Sequence, residues 1–346
     1  MTDQQESVRL GAYALPGRVP DPRRGIAQAA EAERLGLQTL WLSERWGTKD
    51  FGVLAGAFSQ VTDRIRIAAG VTHLQSRHPA MLASMAMTAQ ALSDGRLVLG
   101  VGRSVDAMWA AVGLPASTNR SIIDSVDIFR RLCRGEKVRY VGPAGDFPSL
   151  RLTDVPDQPV PPVVFAAIGP KGLALAGRHF DGVLLHPFLT PDAVARSAVA
   201  VRRAAEEAGR DPASVRIYAT VVTASGLPPA EEAAVVGARA VTYYQIPGFG
   251  EQLATVNGWD LRDLERLRAH PTLAAIRGAA DSVRTREELT RTAEALPAEW
   301  TRGAAALGSP EECAAAFERY RVAGADELVL HGSTPDQLGW LEKLGR

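Results

Sequence analysis

Short runs of apolar residues alternate along this chain with longer stretches in which apolar residues recur every three to four positions. The short runs are typical of buried β-strands, and the longer stretches are typical of amphipathic helices. The predicted strands are 8–14, 38–42, 65–70, 95–102, 163–167, 182–186, 215–223 and 327–331. The predicted helices are about 22–35, 51–61, 79–92, 120–134, 173–177, 191–208, 229–238, 310–322 and 334–344.

The alternation of strands and helices indicates an α/β fold with a parallel sheet. Connections long enough to hold a helix join parallel strands, and eight such strands predict a (β/α)8 TIM barrel. The run 95–102 is apolar almost throughout, as in strands buried on both faces of a parallel sheet. The alternative, a doubly wound open sheet, would carry a Gly-x-Gly-x-x-Gly turn after the first strand. Gly11-Ala12-Tyr13 offers no such turn.

Two stretches interrupt the alternation and account for the length of 346 residues, since a bare barrel needs ~250. Residues 135–162, after the fourth strand, are rich in proline and predict a hairpin-like insertion. Residues about 240–307, after the seventh strand, predict a helical insertion with interspersed aromatic residues. Loops after barrel strands carry specificity, so we expect the second insertion to cover the C-terminal mouth. The whole chain, 1–346, is predicted to form a single domain.

Composition and charge favour a small-molecule partner. Lys plus Arg and Asp plus Glu both number 39, so no overall field would attract nucleic acid or an anionic membrane. There is no signal-peptide pattern and no apolar run near the ~20 residues of a membrane span, so we expect a cytoplasmic protein. Cys133 and Cys313 lack metal-ligand spacing, and we expect reduced, buried thiols and no metal site. The sequence leaves the oligomeric state open, a homodimer included.

The end of the third strand carries an unusual set of polar residues. Gly70 ends the strand and has no Cβ, so a ligand can approach the backbone there. Val71-Thr72-His73 follow, and Arg77-His78-Pro79 open the next helix. In a TIM barrel the C-terminal ends of the strands hold the active site. The alternative is an ordinary strand-to-helix loop whose polar residues cap the helix.

Three other strand ends carry candidate binding residues. Ser43-Glu44-Arg45-Trp46 follow the second strand, and a surface ion pair is the alternative for Glu44 and Arg45. Gly102-Arg103-Ser104 follow the fourth, where Arg103 could face a phosphate or a polyanionic tail. Ile168 and Gly169-Pro170-Lys171-Gly172 lead from the fifth strand into a helix, whose free N–H groups and dipole favour a phosphate. This loop is not a Walker motif, and a plain glycine-rich turn is the alternative.

These motifs together resemble the luciferase-like oxidoreductases, especially members that use the deazaflavin coenzyme F420. The resemblance rests on Gly70-Val71-Thr72, on Arg77-His78-Pro79 and on the segment 162–177 with Asp181-Gly182-Val183 after it. It implies that the third strand ends in a bulge with a non-prolyl cis peptide, at Gly70-Val71 or one bond away, which backs the cofactor ring. It also implies a cofactor phosphate near 169–172.

The resemblance implies a set of site residues. The implied cofactor-binding residues are Glu44, Gly70, Val71, Thr72, Gly102, Arg103, Ser104, Ile168, Gly169, Pro170, Lys171 and Gly172. The implied catalytic residues are Glu44, Arg45 and His73. Relatives often carry a histidine at the position of Arg45, and an arginine cannot act as a general base. A glutamate that can donate a proton in relatives is replaced here by Val105, with Asp106 next.

Three histidines, His73, His186 and His331, fall at or beyond strand ends, where they could converge on the barrel mouth. The predicted function is hydride transfer between the deazaflavin ring of coenzyme F420 and a small organic substrate. One alternative is an FMN-dependent monooxygenase on the same fold. Another is a barrel that binds deazaflavin without turnover, since the usual histidine and glutamate are missing. Neither the substrate nor the direction of transfer follows from the sequence.

Overall fold

The computed structural model describes residues 8–47, 49–104, 106–274, 276 and 278–344. In these ranges eleven strands form, most of them four to six residues long. They are β1 Leu10–Tyr13, β2 Thr39–Leu42, β3 Arg66–Ala69, β4 Leu97–Val101, β5 Val138–Gly142, β6 Gly145–Leu150, β7 Val163–Ala167, β8 Gly182–Leu185, β9 Arg216–Ser225, β10 Ala305–Gly308 and β11 Glu327–Gly332.

Eight parallel strands close into a barrel. Their order around the ring is β1, β2, β3, β4, β7, β8, β9 and β11. The long strand β9 pairs with β8 on one side and with β11 on the other, and the pairing of β11 with β1 completes the ring. The predicted (β/α)8 barrel is therefore confirmed, and each of the eight predicted strands overlaps one barrel strand.

Helices surround the barrel, and several begin with the caps that the sequence indicates. Thr190 and Ser309 accept hydrogen bonds from the backbone three residues later, each just before a proline at the first helical position. His78 caps the helix that begins at Pro79, as the alternative interpretation of the segment after the third strand predicts. The helices are α1 Arg24–Arg34, α2 Phe51–Ser59, α3 Pro79–Leu92, α4 Asp106–Ala111, α5 Asn119–Cys133, α6 Pro170–His179, α7 Pro191–Glu207, α8 Pro229–Tyr244, α9 Phe249–Asn257, α10 Leu261–Arg268, α11 Arg286–Thr292, α12 Ala298–Thr301 and α13 Pro310–Val322.

Both predicted insertions are present, and the prediction of the first is more accurate than that of the second. The first contains the antiparallel hairpin of β5 and β6, as predicted. The second is mostly helical, but it ends in β10, which pairs in parallel with residues 222–225 of β9 and was not predicted. Ala305, Ala306 and Gly308 are of residue types that are depleted in strands, so this segment carries no clear strand signal. The predicted final helix, 334–344, is instead two short 3-10 helices, Pro335–Gln337 and Gly339–Leu344.

A layer of buried side chains lies inside the barrel. Each of the eight barrel strands contributes one buried residue to this layer, and Trp41 meets Tyr218 edge to face at 5.1 Å between ring centres. The layer consists of Tyr13, Trp41, Ala68, Val98, Val164, Leu184, Tyr218 and Val329.

Two glycines inside helices differ in how closely the neighbouring helices around the barrel approach them. A Cβ built on Gly177 in α6 would overlap the carbonyl oxygen of Val201 in α7, whereas one built on Gly56 in α2 would meet nothing closer than Leu92 at 3.8 Å. We expect Gly177→Ala to lower the free energy of unfolding by about 1–3 kcal/mol through overpacking. Gly56→Ala should raise it by about 0.5–1 kcal/mol through better helix propensity. Urea unfolding measures both, and equal effects of the two variants would contradict the close approach of α6 to α7.

Candidate active site

A cavity of about 1080 Å³ opens at the C-terminal ends of the barrel strands. This is where a TIM barrel places its active site. The residues that line it are Tyr13, Ser43, Gly70, Val71, Gly102, Arg103, Ser104, Ser117, Thr118, Asn119, Arg120, Phe165, Ala166, Ala167, Ile168, Gly169, Pro170, Lys171, Gly172, Leu184, Leu185, His186, Pro187, Thr220, Tyr243, Phe249, Gln252 and His331.

Most of the predicted cofactor-binding residues share this cavity. Three separate strand ends, after β3, β4 and β7, bring them together on one wall. The predicted residues found in the lining are Gly70, Val71, Gly102, Arg103, Ser104, Ile168, Gly169, Pro170, Lys171 and Gly172. Glu44 and Thr72 are not in the lining and lie behind the end of β3.

The end of β3 forms the bulge that the resemblance implies. The Gly70–Val71 peptide bond is cis, at the first of the predicted positions. The Gly70 carbonyl accepts hydrogen bonds from Tyr13 Oη at 3.1 Å and from Ser43 Oγ at 2.9 Å. The Val71 carbonyl accepts one from the backbone N–H of Glu44 at 3.2 Å. Both carbonyl groups are thus bonded to neighbouring strand ends, which holds the bulge in place.

Behind the bulge, the carboxylate of Glu44 is bonded entirely within the protein. Arg77 donates to both of its oxygens, at 2.6 and 2.7 Å, and Thr72 Oγ1 donates at 2.5 Å. The backbone N–H of Phe51, at the start of α2, donates at 3.2 Å. Burial alone would raise the pKa of Glu44, but the hydrogen bonds from Arg77 and Thr72 outweigh it and lower the pKa. Glu44 is therefore an anchored carboxylate that ties the ends of β2 and β3 to α2.

The other two predicted catalytic residues also lie outside the cavity lining. Arg45 donates from Nη2 to Asp281 at 3.0 Å, so it reaches the second insertion. His73 packs edge to face against Trp109, with ring centres 5.1 Å apart, and burial lowers its pKa. The catalytic roles of Glu44, Arg45 and His73 stay predictions. Val105, where relatives carry a glutamate, lies outside the described residues.

Two of the three histidines at strand ends do reach the cavity. Nδ1 of His186 lies 2.7 Å from the carbonyl oxygen of Pro187. Because a carbonyl oxygen can only accept a hydrogen bond, this nitrogen carries the proton. Burial lowers the pKa of His186 to about 4, so the ring is neutral at pH 7. His331 meets Tyr13 edge to face at 4.8 Å, and burial, reinforced by the charge of Arg239, holds its pKa well below the usual range. Their position at strand ends was the only sequence signal for these residues.

The loop before α6 has the features of an anion site. Gly169 precedes the helix without a side-chain cap, and Pro170 occupies the first position, so the N–H groups of the first turn stay free for a ligand. A Cβ on Gly172 would lie 3.1 Å from the Cβ of Ala167, so this tight turn favours a glycine at position 172. The exposed side chain of Lys171 adds a positive charge at the cavity rim.

A loop that the sequence patterns did not indicate also lines the cavity, beside Arg103 at the end of β4. Arg103 donates to the Ser117 carbonyl at 2.8 Å and also contacts the side chain of Asn119. Trp109 Nε1 donates to the Arg103 carbonyl at 2.9 Å. The loop before α5 therefore lies against the end of β4, and Ser117, Thr118, Asn119 and Arg120 join the lining. Sequence patterns missed it because the loop is far from any strand end along the chain.

The second insertion contributes to the mouth. Tyr243 at the end of α8 lines the cavity, with Phe249 and Gln252 of α9. The rings of Tyr243 and Phe249 both meet His186 edge to face, at 4.5 and 4.8 Å. Aromatic side chains of this segment thus form one side of the cavity, and their effect on substrate choice stays a prediction.

Two buried polar atoms in the lining indicate that the cavity is built for a ligand. Thr220 Oγ1 and His331 Nδ1 are buried and find no hydrogen-bond partner among the described residues. Buried polar atoms in native proteins are nearly always paired. A ring with polar edges in this cavity could pair with both atoms, and a phosphate fits the free first turn of α6.

A buried lysine lies beneath the loop after β1. Lys49 Nζ donates to the carbonyls of Leu15 and Gly17, at 2.9 and 2.8 Å. Burial, followed by the charges of Arg45 and Arg239, lowers its pKa to about 7. Because a neutral amine still has two N–H groups for the two carbonyls, deprotonation does not break these bonds. No sequence pattern distinguished this lysine from a surface residue.

Among the residues that the structure describes, no group of three or more His, Cys, Asp and Glu side chains is arranged to hold a metal ion. The helices formed by these residues lack the combined length and apolar character of a membrane-crossing helix. Cys133 and Cys313 are free and buried, as expected, and burial raises the pKa of both thiols.

The family model described as luciferase-like monooxygenase matches residues 2–327. The chain belongs to this family. The family assignment agrees with the cavity at the strand ends and with the bulge after β3. It confirms the resemblance that the sequence motifs indicate.

Individual relatives are similar at moderate identity. A 5,10-methylenetetrahydromethanopterin reductase of Methanolobus tindarius is 31% identical over 58% of this chain and 61% of its own. An F420-dependent glucose-6-phosphate dehydrogenase of Amycolatopsis mediterranei (strain U-32) is 27% identical over 91% of this chain and 90% of its own. The chain spans only 51% to 61% of the length of the first three curated relatives that it matches.

Among solved structures, the coenzyme F420 dependent tetrahydromethanopterin reductase from Methanopyrus kandleri superposes with a TM-score of 0.80. The superposition covers 98% of both chains at 18% identity. At this identity the likeness supports the fold alone. This reductase therefore shares the barrel fold with this chain.

The buried bonds of Glu44 predict a loss of stability when its charge is removed. We expect Glu44→Gln to lower the free energy of unfolding by about 1–3 kcal/mol at pH 7. Because the folded-state pKa of Glu44 is lowered, its contribution is present above the unfolded pKa of about 4.3 and is lost as pH falls through the folded pKa. The difference between wild type and variant should shrink accordingly in urea unfolding at decreasing pH.

Asp50→Asn is the matched control, since Asp50 also accepts from Arg77, at 2.6 Å, but is exposed. It should cost less than about 1 kcal/mol, and asparagine keeps the cap of α2. Equal losses in the two variants would show that the Glu44 carboxylate has no special role.

The lowered pKa of Lys49 predicts a pH-dependent stability. Between pH 7 and about 10.4 the unfolded chain binds one more proton at this site than the folded chain, so stability rises with pH. The cost of the buried charge is full below pH 7 and is relieved above it. We expect Lys49→Met to remove this rise, whereas Lys137→Met, at an exposed site, should follow wild type. Parallel unfolding curves for Lys49→Met and wild type from pH 6 to 9.5 would contradict the assignment.

Proposed function

We propose that this protein is an F420-dependent oxidoreductase that transfers a hydride between the deazaflavin ring and a small organic substrate. The observation that carries the proposal is the single cavity that joins the bulge at Gly70 and Val71 to the free helix start at Gly169–Gly172. A flat ring and a phosphate on one molecule match these two features. The relatives named for F420 use support the choice of cofactor.

The residues present divide into those that would hold the ring and those that would hold the tail. Gly70 and Val71 would back the ring, and Gly102 beside them leaves room, because a Cβ there would lie 3.2 Å from Val71 Cγ2. Lys171 and the first turn of α6 would hold the phosphate. When bound, the deazaflavin would supply hydride exchange, which no amino-acid side chain provides.

The chain itself would supply orientation, hydrogen bonds and exclusion of water. His331 and Thr220 present their unpaired atoms at the base of the cavity. His331 is neutral at pH 7 because burial lowers its pKa, so it can either donate or accept a hydrogen bond at the reacting end of a substrate. Tyr243 and Phe249 would exclude water from one side.

The predicted catalytic residues would act less directly than the resemblance implies. Glu44 holds Arg77 and Thr72 behind the bulge, so we assign it a positioning role rather than contact with the ring. Arg45 carries its charge toward Asp281. A positively charged residue there cannot cycle a proton, which leaves acid–base work to groups in the cavity lining.

The second candidate function is an FMN-dependent monooxygenase, favoured by the description of the matching family model. FMN also joins a flat ring to a phosphate, so the cavity geometry does not separate the two cofactors. Side-by-side titrations do separate them.

We expect the purified protein to bind F420 more tightly than FMN in fluorescence titrations. Lys171→Gln should weaken F420 binding by about tenfold, since a charge-assisted phosphate contact is lost. Lys137→Gln, an equal change at an exposed site outside the cavity, should leave it unchanged. Loss of F420 absorbance with a panel of alcohols, or its return when reduced F420 is mixed with a panel of aldehydes, would then show turnover. Tighter binding of FMN would support the monooxygenase, and bound F420 without turnover would support a binding protein.

Two further expectations stay predictions, a single domain over 1–346 and a cytoplasmic location. The oligomeric state, a homodimer included, stays open. Light scattering on the purified protein measures the oligomeric state.

A further inference from the structure

A second, smaller cavity of about 250 Å³ lies beside the main one and is rich in arginine. Its charged lining residues are Arg18, Arg239, Arg284, Arg286 and Asp281. Four guanidinium groups thus surround one carboxylate. Since a water molecule takes ~30 Å³ in the liquid, the space is large enough for a carboxylate or phosphate group.

In the lining of this arginine pocket, arginine side chains outnumber the carboxylate. Arg284 and Arg286 donate from Nε to the carbonyls of Thr272 and Ala234, at 3.0 and 3.2 Å. Such bonds to neutral carbonyls add no counter-charge, and Glu231 offsets the charge of Arg286 only in part. Burial, followed by the charge of Arg239, lowers the pKa of Arg286, as expected for crowded cations.

Arg239 has no ion pair among the described residues. Its guanidinium lies 5.8 Å over the ring of Tyr243, and its Nη2 lies 2.6 Å from where a Cβ of Gly17 would be. The lone carboxylate, Asp281, is already bonded to Arg45 at 3.0 Å and lies 3.9 Å from Arg18. Asp281 Oδ1 accepts no hydrogen bond among the described residues, and Asp281 is the one carboxylate that lines the pocket beside its four arginines.

The pocket lies across the barrel mouth from the proposed phosphate site. Its backbone wall is formed by the loop after β1 and by Gly332 at the end of β11. The proposed phosphate site follows β7, and β1 and β7 are four positions apart in the ring of eight strands. A molecule whose phosphate occupies the start of α6 would have to span the whole mouth to place a second anion here.

The arginine pocket shares a wall with the main cavity. Gly332 lines the pocket, and its neighbour His331 lines the cavity. Likewise Arg239 lines the pocket, and Tyr243, one turn later on α8, lines the cavity. A substrate in the cavity could therefore reach the pocket with one end.

We propose that the arginine pocket binds an anionic group, a carboxylate or phosphate, of the substrate whose reacting end lies in the main cavity. The planar fork of an arginine side chain matches both anions, with two parallel hydrogen bonds. The proposal rests on the proposed function for the reaction, and it adds the substrate class, an organic anion.

Calorimetric titration of the F420-saturated protein with inorganic phosphate tests the pocket, because the cofactor then occupies the phosphate site at α6. We expect wild type to bind phosphate and Arg239→Gln to bind it about tenfold more weakly. Arg239→Lys, which keeps the charge, should retain part of the affinity and guards against a folding defect. Arg203→Gln, the same change at an exposed residue of α7, is the control and should match wild type. Equal phosphate affinity in all four proteins would show an adventitious ion only and overturn the proposal.

Two further measurements decide whose anion the pocket holds. F420 affinity should be unchanged in Arg239→Gln, whereas a matching loss would assign the pocket to the cofactor tail and overturn the proposal. Among carbonyl substrates that differ only in one carboxylate, with reduced F420 as the hydride donor, Arg239→Gln should raise KM for the carboxylated member and leave KM for the uncharged member unchanged. An equal effect on both members would also overturn it. If F420 does not bind, the proposed function fails, and phosphate titration of the unliganded wild type and Arg239→Gln still tests the pocket.

Discussion

The bonds to the buried carboxylate of Glu44 are the constraint on which the active-site wall depends. Arg77, Thr72 and the start of α2 all bond to this one group, so the ends of β2 and β3 and the start of α2 meet behind the bulge. The backbone N–H of Glu44 in turn holds the carbonyl of Val71. A buried charge without partners would be costly, and here the partners lie behind the cavity wall rather than in its lining. The carboxylate of Glu44 therefore has its hydrogen bonds without any ligand, and these bonds fix the position of the bulge.

Opposite this wall the mouth carries a different kind of electrostatics. Arg45, after the second strand, joins a set of basic side chains that includes Lys49 and Arg239. Asp281 lies among them as a counter-charge. An arginine at this strand end adds fixed positive charge beside the loop after β1. Under the two proposals, reaction chemistry and substrate recognition are separate, with neutral imidazoles in the cavity and guanidinium groups at its side.

The two histidines in the cavity illustrate how burial decides chemistry in this barrel. His186 and His331 are enclosed by aromatic rings and by the second insertion, so both rings stay neutral at pH 7. A neutral imidazole offers a hydrogen bond without charge. The long insertion is thus more than a cover, because its Tyr243 and Phe249 create the apolar surroundings that keep the ring of His186 uncharged.

The sequence by itself determined the barrel, the caps of its helices and the strand ends that carry the bulge and the helix-start loop. These features depend on local patterns, since periodicity, proline, glycine and capping residues act within a few positions of each other. The sequence did not determine which polar residues face the ligand. Glu44 and Arg45 follow a strand end, as an active-site residue would, yet the tertiary structure turns both toward protein partners. Only the tertiary structure identified Lys49, the arginine pocket and the loop 117–120 as parts of the site. The burial and the electrostatic surroundings of these residues depend on segments that are far apart in the sequence and come together in the fold.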